Sequence, residues 1–346
     1  RRAAFVIVSL LLTACAPLVQ APGPAARPAA IAGQGATLHL AMADGAVLPL
    51  SHWGPDQPRA IILALHGLND YARAFDRPAR LWAAAGIATY AYDQRGFGAS
   101  GRAGAPAAGR GLWPGADGLA SDLASAVRLI AARHPGVPLY GLGESMGAAV
   151  LVYAHAGGGL PPTAGAILVA PAVWGYGDLP VVARAVLWSF AHTVPWAGGS
   201  GAGFGRLPSD NLAMLRALAD DPLVRRFTRW DVAWGLTRLM DQAKGQAAAL
   251  PGRSPILYGA RDRIIPPDAV QRFLAGLPAT GPDNQTSHAP RFAFYDTGWH
   301  MLLRDLAGDR VSHDIAAWIT SSAPSLPSGA DQDAVHRLSH NVQGSP

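Results

Sequence analysis

The run Gly143-Glu144-Ser145-Met146-Gly147 joins two segments that place opposite demands on the backbone. Before it, Val137 to Leu142 reads as a short buried strand; after it, Ala148 to Ala154 reads as a buried helix. A chain passing from strand to helix within five residues must turn sharply. A side chain at either flanking position would collide with the neighbouring strand or helix, so glycine is needed at both. The serine is left at the apex of the turn, at the end of a strand. This strand–turn–helix unit requires a sheet with helices packed on it.

The remaining apolar runs extend that unit. Thr37–Met42 and Val47–Ser51 flank the pair Asp44-Gly45 and form a hairpin. Ala60–Leu65, Ile87–Tyr92, Ala166–Ala170, Pro255–Gly259 and Phe292–Tyr295 are continuous apolar runs of buried-strand length. Helical spacing appears over residues 73–85, 118–133 and 311–320; the second places Leu119, Leu123, Val127 and Ile130 on one face. Strands that alternate with helices after an initial hairpin predict an α/β fold, with a mostly parallel eight-stranded sheet covered on both faces. Residues 175–250 break the alternation with a stretch rich in Trp, Phe, Leu and Met that has no strand-like run. They divide the core into 36–174 and 251–321. Residues 322–346 lose the hydrophobic pattern and gain Ser, Pro, Gly and His, which predicts a disordered tail.

Cys15 is the only cysteine, so the chain forms no internal disulfide. Arg1-Arg2, an apolar run from Ala3 to Leu12 too short to span a bilayer, and Leu12-Thr13-Ala14-Cys15 together resemble a bacterial lipoprotein signal. That resemblance implies lipidation of Cys15 and a protein exported to the cell envelope and held on a membrane by acyl chains. The alternative is an ordinary secretory signal with an incidental cysteine. Ala16 to Gly35, dense in Pro, Ala and Gly, reads as a tether. The formal net charge of +5 is dispersed, with no basic run longer than a pair, which argues against a nucleic-acid partner. Lys244 is the only lysine and Glu144 the only glutamate.

A serine hydroxyl is a poor nucleophile until a histidine takes its proton, and that histidine needs a carboxylate to fix its tautomer and stabilise the imidazolium. Asp262 lies just after the Pro255–Gly259 strand and His300 just after Phe292–Tyr295, so both sit at carboxyl ends of strands, as Ser145 does. Asp268 at the start of the next helix, His288 before the last strand and His313 within the terminal helix are weaker competitors. The tetrahedral intermediate of acyl transfer needs two N–H donors. Met146, directly after the serine, offers one; Leu68, in the His66-Gly67-Leu68 loop after Ala60–Leu65, offers the second. His66 reads as structural. No ligand spacing for a metal appears, and the chemistry needs no cofactor.

His66-Gly67, the run Asp93-Gln94-Arg95-Gly96-Phe97-Gly98-Ala99-Ser100, the glycine-flanked serine and the Asp262 and His300 segments together resemble the serine hydrolases grouped as monoacylglycerol lipases and lysophospholipases, the serine aminopeptidase S33-type branch of the α/β-hydrolases. Asp220-Asp221-Pro222-Leu223-Val224 is similar to a segment common in that branch. The resemblance spans roughly residues 36–320. It implies Ser145 as nucleophile, Asp262 and His300 as its partners, the amides of Leu68 and Met146 as oxyanion hole, and residues 175–250 as a helical cap. Met301 departs from the acidic residue that often follows the histidine in the family. Asp93 and Arg95 read as a salt bridge within their loop. Glu144 reads as a residue that meets a nearby donor, with an electrostatic influence on His300 as the other possibility.

The implied reaction is hydrolysis of monoacylglycerol or lysophospholipid-like esters through an acyl-enzyme. Leu179 to Phe190, Trp196, Phe204, Met214, Leu215, Phe227, Trp230, Trp234 and Met240 are candidates to line an acyl pocket or to pack the cap. A peptidase or amidase would use the same triad and recognise a substrate amine through Asp178, Asp210, Asp220, Asp221 or Asp231. A catalytically silent envelope lipoprotein is the alternative from another class.

Overall fold

The computed structural model of the 346-residue chain describes residues 16–102, 111–200, 206–252, 254–277, 291–321, 323 and 325–343. Cys15 with the signal-like segment, Phe204 and His288 lie outside the described residues. In chain order the strands are β1 (Ala30–Ala32), β2 (His39–Ala41), β3 (Ala46–Trp53), β4 (Ala60–Leu65), β5 (Ile87–Tyr92), β6 (Gly101–Arg102), β7 (Leu139–Glu144), β8 (Gly165–Val169), β9 (Gly198–Gly199), β10 (Thr228–Arg229), β11 (Ile256–Gly259) and β12 (Phe292–Tyr295). The α-helices are α1 (Asp76–Ala84), α2 (Ala116–Arg133), α3 (Met146–Ala156), α4 (Val181–Thr193), α5 (Leu212–Asp220), α6 (Trp230–Gly245), α7 (Pro267–Ala275), α8 (Gly308–Thr320) and α9 (Ala334–Gln343).

The main sheet runs β1-β2-β3-β5-β4-β7-β8-β11-β12, with β6 paired to β3. Strands β1, β2 and β3 are antiparallel, and β3 meets β5 antiparallel; from β5 to β12 every pairing is parallel. The eight strands read from the apolar runs are therefore joined by two short pieces, β1 and β6. Strand β4 shows why the central runs are continuous: Ile61, Leu63 and Leu65 enter the core on one face, and Ala60, Ile62 and Ala64 enter the core on the other. A strand buried on both sides has no polar face to alternate with.

Helix α3, apolar all round, is buried along nearly its whole length. It shares its face of the sheet with α2, α6 and α7, whereas α1 and α8 cover the opposite face. Trp82 ties α1 to α8 by donating from Nε1 to the Ser312 carbonyl at 3.0 Å. Strands β7, β11 and β12 all end on the same edge of the sheet. Residues following a parallel strand's carboxyl end are the ones free to build a site.

Three segments differ from expectation. Residues 325–343, which fall in the expected disordered tail, are instead docked: Leu326 and Ala330 join the α1/α8 core, while Ala334 and Leu338 of α9 join the other. The physical reason is the exposed edge of β12, whose unpaired backbone groups need covering. Phe294 donates its N–H to the Ala330 carbonyl at 2.8 Å, and the Arg337 guanidinium donates to the Phe294 carbonyl at 2.9 Å. The tether 16–35 also docks in part, through β1 on β2 and a backbone bond from Gln20 to Trp113 at 2.7 Å. Finally, the insertion 175–250 is less separate than its composition implies: Leu239, Met240 and Ala243 of α6 belong to the main core, and β9 and β10 form a small antiparallel ribbon.

Candidate active site

Ser145 sits between β7 and α3 with φ 54° and ψ −114°, a conformation that a residue with a side chain adopts only under constraint. The glycines explain how the turn is possible. A Cβ at Gly143 would lie 2.3 Å from the Ala148 nitrogen, and one at Gly147 would lie 2.2 Å from the Leu65 carbonyl oxygen. Both distances are far inside van der Waals contact. The Ser145 N–H donates to the Val169 carbonyl at 2.9 Å, which fastens the turn to β8.

The loops after β11 and β12 bring Asp262 and His300 to this turn. His300 Nε2 is 2.9 Å from Ser145 Oγ, and His300 Nδ1 is 2.7 Å from Asp262 Oδ2. The other Asp262 oxygen accepts from the N–H groups of Ile264 at 2.7 Å and Ile265 at 2.9 Å. A carboxylate accepts only, so Nδ1 carries the proton and Nε2 is left with a lone pair toward the hydroxyl. Burial pulls the imidazole toward neutrality. The Asp262 carboxylate beside it, and Glu144 beyond, more than offset this and hold His300 above the ordinary histidine range. Asp262 and His300 are buried and Ser145 is partly open. The arrangement can move a proton from Ser145 to His300 without rearrangement.

Gly67 brings its backbone against the serine: a Cβ there would lie 3.4 Å from Ser145 Cβ. The N–H groups of Leu68 and Met146 donate to no group among the described residues. His66 is buried behind this loop. Its Nε2 accepts from the Gln94 N–H at 3.0 Å, so its Nδ1 donates to the Gly67 carbonyl at 2.8 Å. Burial holds it neutral, below the usual histidine range. It joins two loops and does not reach the serine.

Beneath the site lies a buried charge cluster that sequence reasoning missed. Arg304 Nη2 is 2.5 Å from Asp70 Oδ2 and 3.4 Å from Glu144 Oε2. It thereby links the loop after β4, the turn at Ser145 and the His300 loop. Glu144 is thus both paired and an electrostatic neighbour of His300. Asp305 holds that last loop by accepting from the N–H groups of Trp299 at 2.9 Å and Ala307 at 3.0 Å. Burial pushes its carboxyl up to about 6. The signal available in the sequence was the sole glutamate within the serine turn, which needed a cation to be buried.

The competitors fall elsewhere. Asp268 pairs with Arg272 at 2.6 Å on α7, and His313 is exposed on α8. Asp93 and Arg95 do not pair with each other. The Asp93 carboxylate accepts from the N–H groups of Ala72 and Ala99 at 3.0 and 2.8 Å, while Arg95 bridges Asp44 and Asp122, each at 2.7 Å. Among the described residues no three His, Cys, Asp or Glu side chains converge as a metal site.

Comparison with known proteins places this geometry. The family model described as "Serine aminopeptidase, S33" matches residues 56–307. The chain belongs to the serine aminopeptidase S33 family. It is similar to a monoacylglycerol lipase of Mycolicibacterium smegmatis, 28% identical over 274 residues that cover 78% of this chain and 91% of that one. The mouse monoglyceride lipase is 25% identical over 297 residues, covering 82% and 89% respectively. Among solved structures, the Paleococcus ferrophilus monoacylglycerol lipase superposes with TM-score 0.65 at 19% identity over 80% of this chain and 99% of that one. The S33 chain has the α/β-hydrolase fold.

Proposed function

We propose that the protein hydrolyses monoacylglycerols or lysophospholipid-like esters through an acyl-enzyme on Ser145. It is a carboxylic ester hydrolase; the substrate class and the part each residue plays are the proposal. The observation that carries it is the unbroken relay from Asp262 through His300 to Ser145, at 2.7 and 2.9 Å. His300 Nε2 takes the serine proton as Oγ attacks the ester carbonyl. The oxygen of the tetrahedral intermediate is received by the N–H groups of Leu68 and Met146, each such donor contributing roughly 3–4 kcal/mol of barrier lowering. Collapse breaks the ester C–O bond, and His300 returns its proton to the leaving alcohol. Water then repeats the sequence on the acyl-enzyme and releases the acid.

Two observations favour a lipid ester over a peptide. Val181, Val182, Trp188 and Trp196 of the inserted segment are exposed, a surface suited to an aliphatic substrate. The acids available to hold a substrate amine are mostly engaged: Asp178 by Lys244 at 2.6 Å, Asp231 by Arg229 at 2.6 Å, Asp221 by Tyr71 at 2.6 Å and Asp210 by the Leu306 N–H at 2.9 Å. A chain-length series of 1-monoacylglycerols, run beside an aminoacyl amide with Ser145→Ala as blank, tests the reading. Ester turnover that rises with chain length is expected. Cleavage of the amide alone contradicts it.

We also propose that Cys15, after its apolar run, is lipidated and anchors the enzyme to a membrane of the cell envelope. Cys15→Ser is expected to move the protein from the membrane to the soluble fraction of an expressing bacterium. Unchanged membrane association of that variant contradicts the anchor.

A further inference from the structure

The loop that carries Leu68 is held from outside the core. It follows β4, and Asn69 within it has φ 63°, a left-handed conformation that asparagine tolerates better than most residues. From below, Asp70 is fixed by Arg304. From above, the inserted segment grips the loop at three points. The Arg225 N–H donates to the Asn69 carbonyl at 2.9 Å, Asn69 Nδ2 donates to Thr228 Oγ1 at 2.7 Å, and the Tyr71 hydroxyl donates to Asp221 Oδ2 at 2.6 Å. The gripping segment is itself fixed. Asp221 Oδ1 accepts from the Leu223 N–H at 2.8 Å, the Val224 N–H returns to the Asp221 carbonyl at 3.2 Å, and Thr228 pairs with Gly199 in the β9–β10 ribbon. The Asp221-Pro222-Leu223-Val224 run, unexplained by the hydrolytic relay, is thus the start of a strap laid across the loop.

We propose that residues 221–228 form a strap that positions the Leu68 amide as an oxyanion donor, with Asn69, Tyr71 and Thr228 as positioning residues. The inference rests on the ester-hydrolase roles proposed above for Ser145 and Leu68. It gives the insertion a part in turnover itself, separate from any hold on the acyl chain. The two roles have different kinetic signatures. A surface that only binds the chain changes KM, and more so for longer chains. A support for the oxyanion donor acts in the transition state, so its loss lowers kcat for every ester, including one too short to reach the insertion.

The test compares Thr228→Val, Tyr71→Phe and the double variant on p-nitrophenyl acetate and p-nitrophenyl dodecanoate. Complete loss of one oxyanion donor costs about 10²–10³ in kcat. A displaced donor in the double variant is therefore expected to lower kcat by at least about tenfold on both esters, with KM within about twofold. Thr228→Ser, which keeps the hydroxyl acceptor, is expected to retain wild-type kcat. Affinity for a trifluoromethyl ketone, whose adduct oxygen occupies the same position, should fall in parallel with kcat. Wild-type kcat on the acetate, with loss confined to the dodecanoate, overturns the strap and assigns the segment to chain binding. Equal kcat losses in Thr228→Ser and Thr228→Val also overturn it. Acetate turnover that persists in Ser145→Ala is a separate outcome: it removes the underlying reading, and the strap's role with it.

Discussion

Replacing Asp262 by asparagine changes one atom, yet the structure fixes how the new side chain must sit. Asp262 Oδ1 accepts two backbone N–H groups, from Ile264 and Ile265, at 2.7 and 2.9 Å. Only the amide oxygen of asparagine can keep those bonds, so its NH₂ must face His300 Nδ1, which lies 2.7 Å from Oδ2 in the wild type. Two donors cannot share that contact. The imidazole therefore moves its proton to Nε2 and points a donor at Ser145 Oγ, where an acceptor is required. With the wrong tautomer the base is absent, and the imidazolium also loses its counter-charge. A loss of about 10⁴ in kcat is expected, about 5.4 kcal/mol of barrier. Steady-state kinetics of purified Asp262→Asn on p-nitrophenyl acetate, with thermal unfolding to show a retained fold, is the assay. A kcat within about tenfold of wild type would refute the reasoning.

Further outcomes follow from the same geometry. In the proposed reaction only neutral His300 accepts the serine proton, so kcat/KM is expected to rise with pH through its pKa. That pKa stands above the ordinary value because Asp262 and Glu144 outweigh burial. Glu144→Gln removes one raising charge, and the acidic limb of the pH–rate profile should move to lower pH; a limb that stays put or moves up contradicts this. The same ionisation couples to folding. With the folded pKa above the unfolded one, His300 contributes stability in full below the unfolded value and loses it as pH rises through the folded value. Urea titrations across that range should show His300→Gln closest to wild type on the alkaline side. In the C-terminal segment, Leu338 is fully buried, so Leu338→Ala should cost roughly 2–5 kcal/mol in urea unfolding. A negligible change would mean that α9 is not docked in solution.

What could be read from the sequence follows from where each interaction lies along the chain. Parallel strands buried on both faces leave uninterrupted apolar runs, so β4, β5, β7 and β8 could be placed to within two residues. The turn at Ser145 carries its own steric signature in Gly143 and Gly147. Asp262 and His300 could be nominated because each follows an apolar run directly. The contacts that organise the site are of another kind. Arg304 meets Glu144 and Asp70 across 160 and 234 positions, and Asn69 meets Thr228 across 159. No local pattern encodes such pairs. The C-terminal segment misled for a related reason. Its composition is that of a solvated tail, and its anchors Leu326, Ala330, Ala334 and Leu338 are spread thinly, four residues apart, across a turn and a helix. The uncovered edge of β12 that makes their docking favourable is a property of the assembled sheet.

In the proposed reaction Ser145 is the group that becomes acylated. Rapid mixing with p-nitrophenyl acetate, acid quenching and mass spectrometry of the digested protein measures this directly. The expected result is an acetyl adduct on the peptide containing Ser145, formed with a burst of p-nitrophenol and absent from Ser145→Ala. Turnover by Ser145→Ala at the wild-type rate, or an adduct on another residue formed at the burst rate, would contradict it.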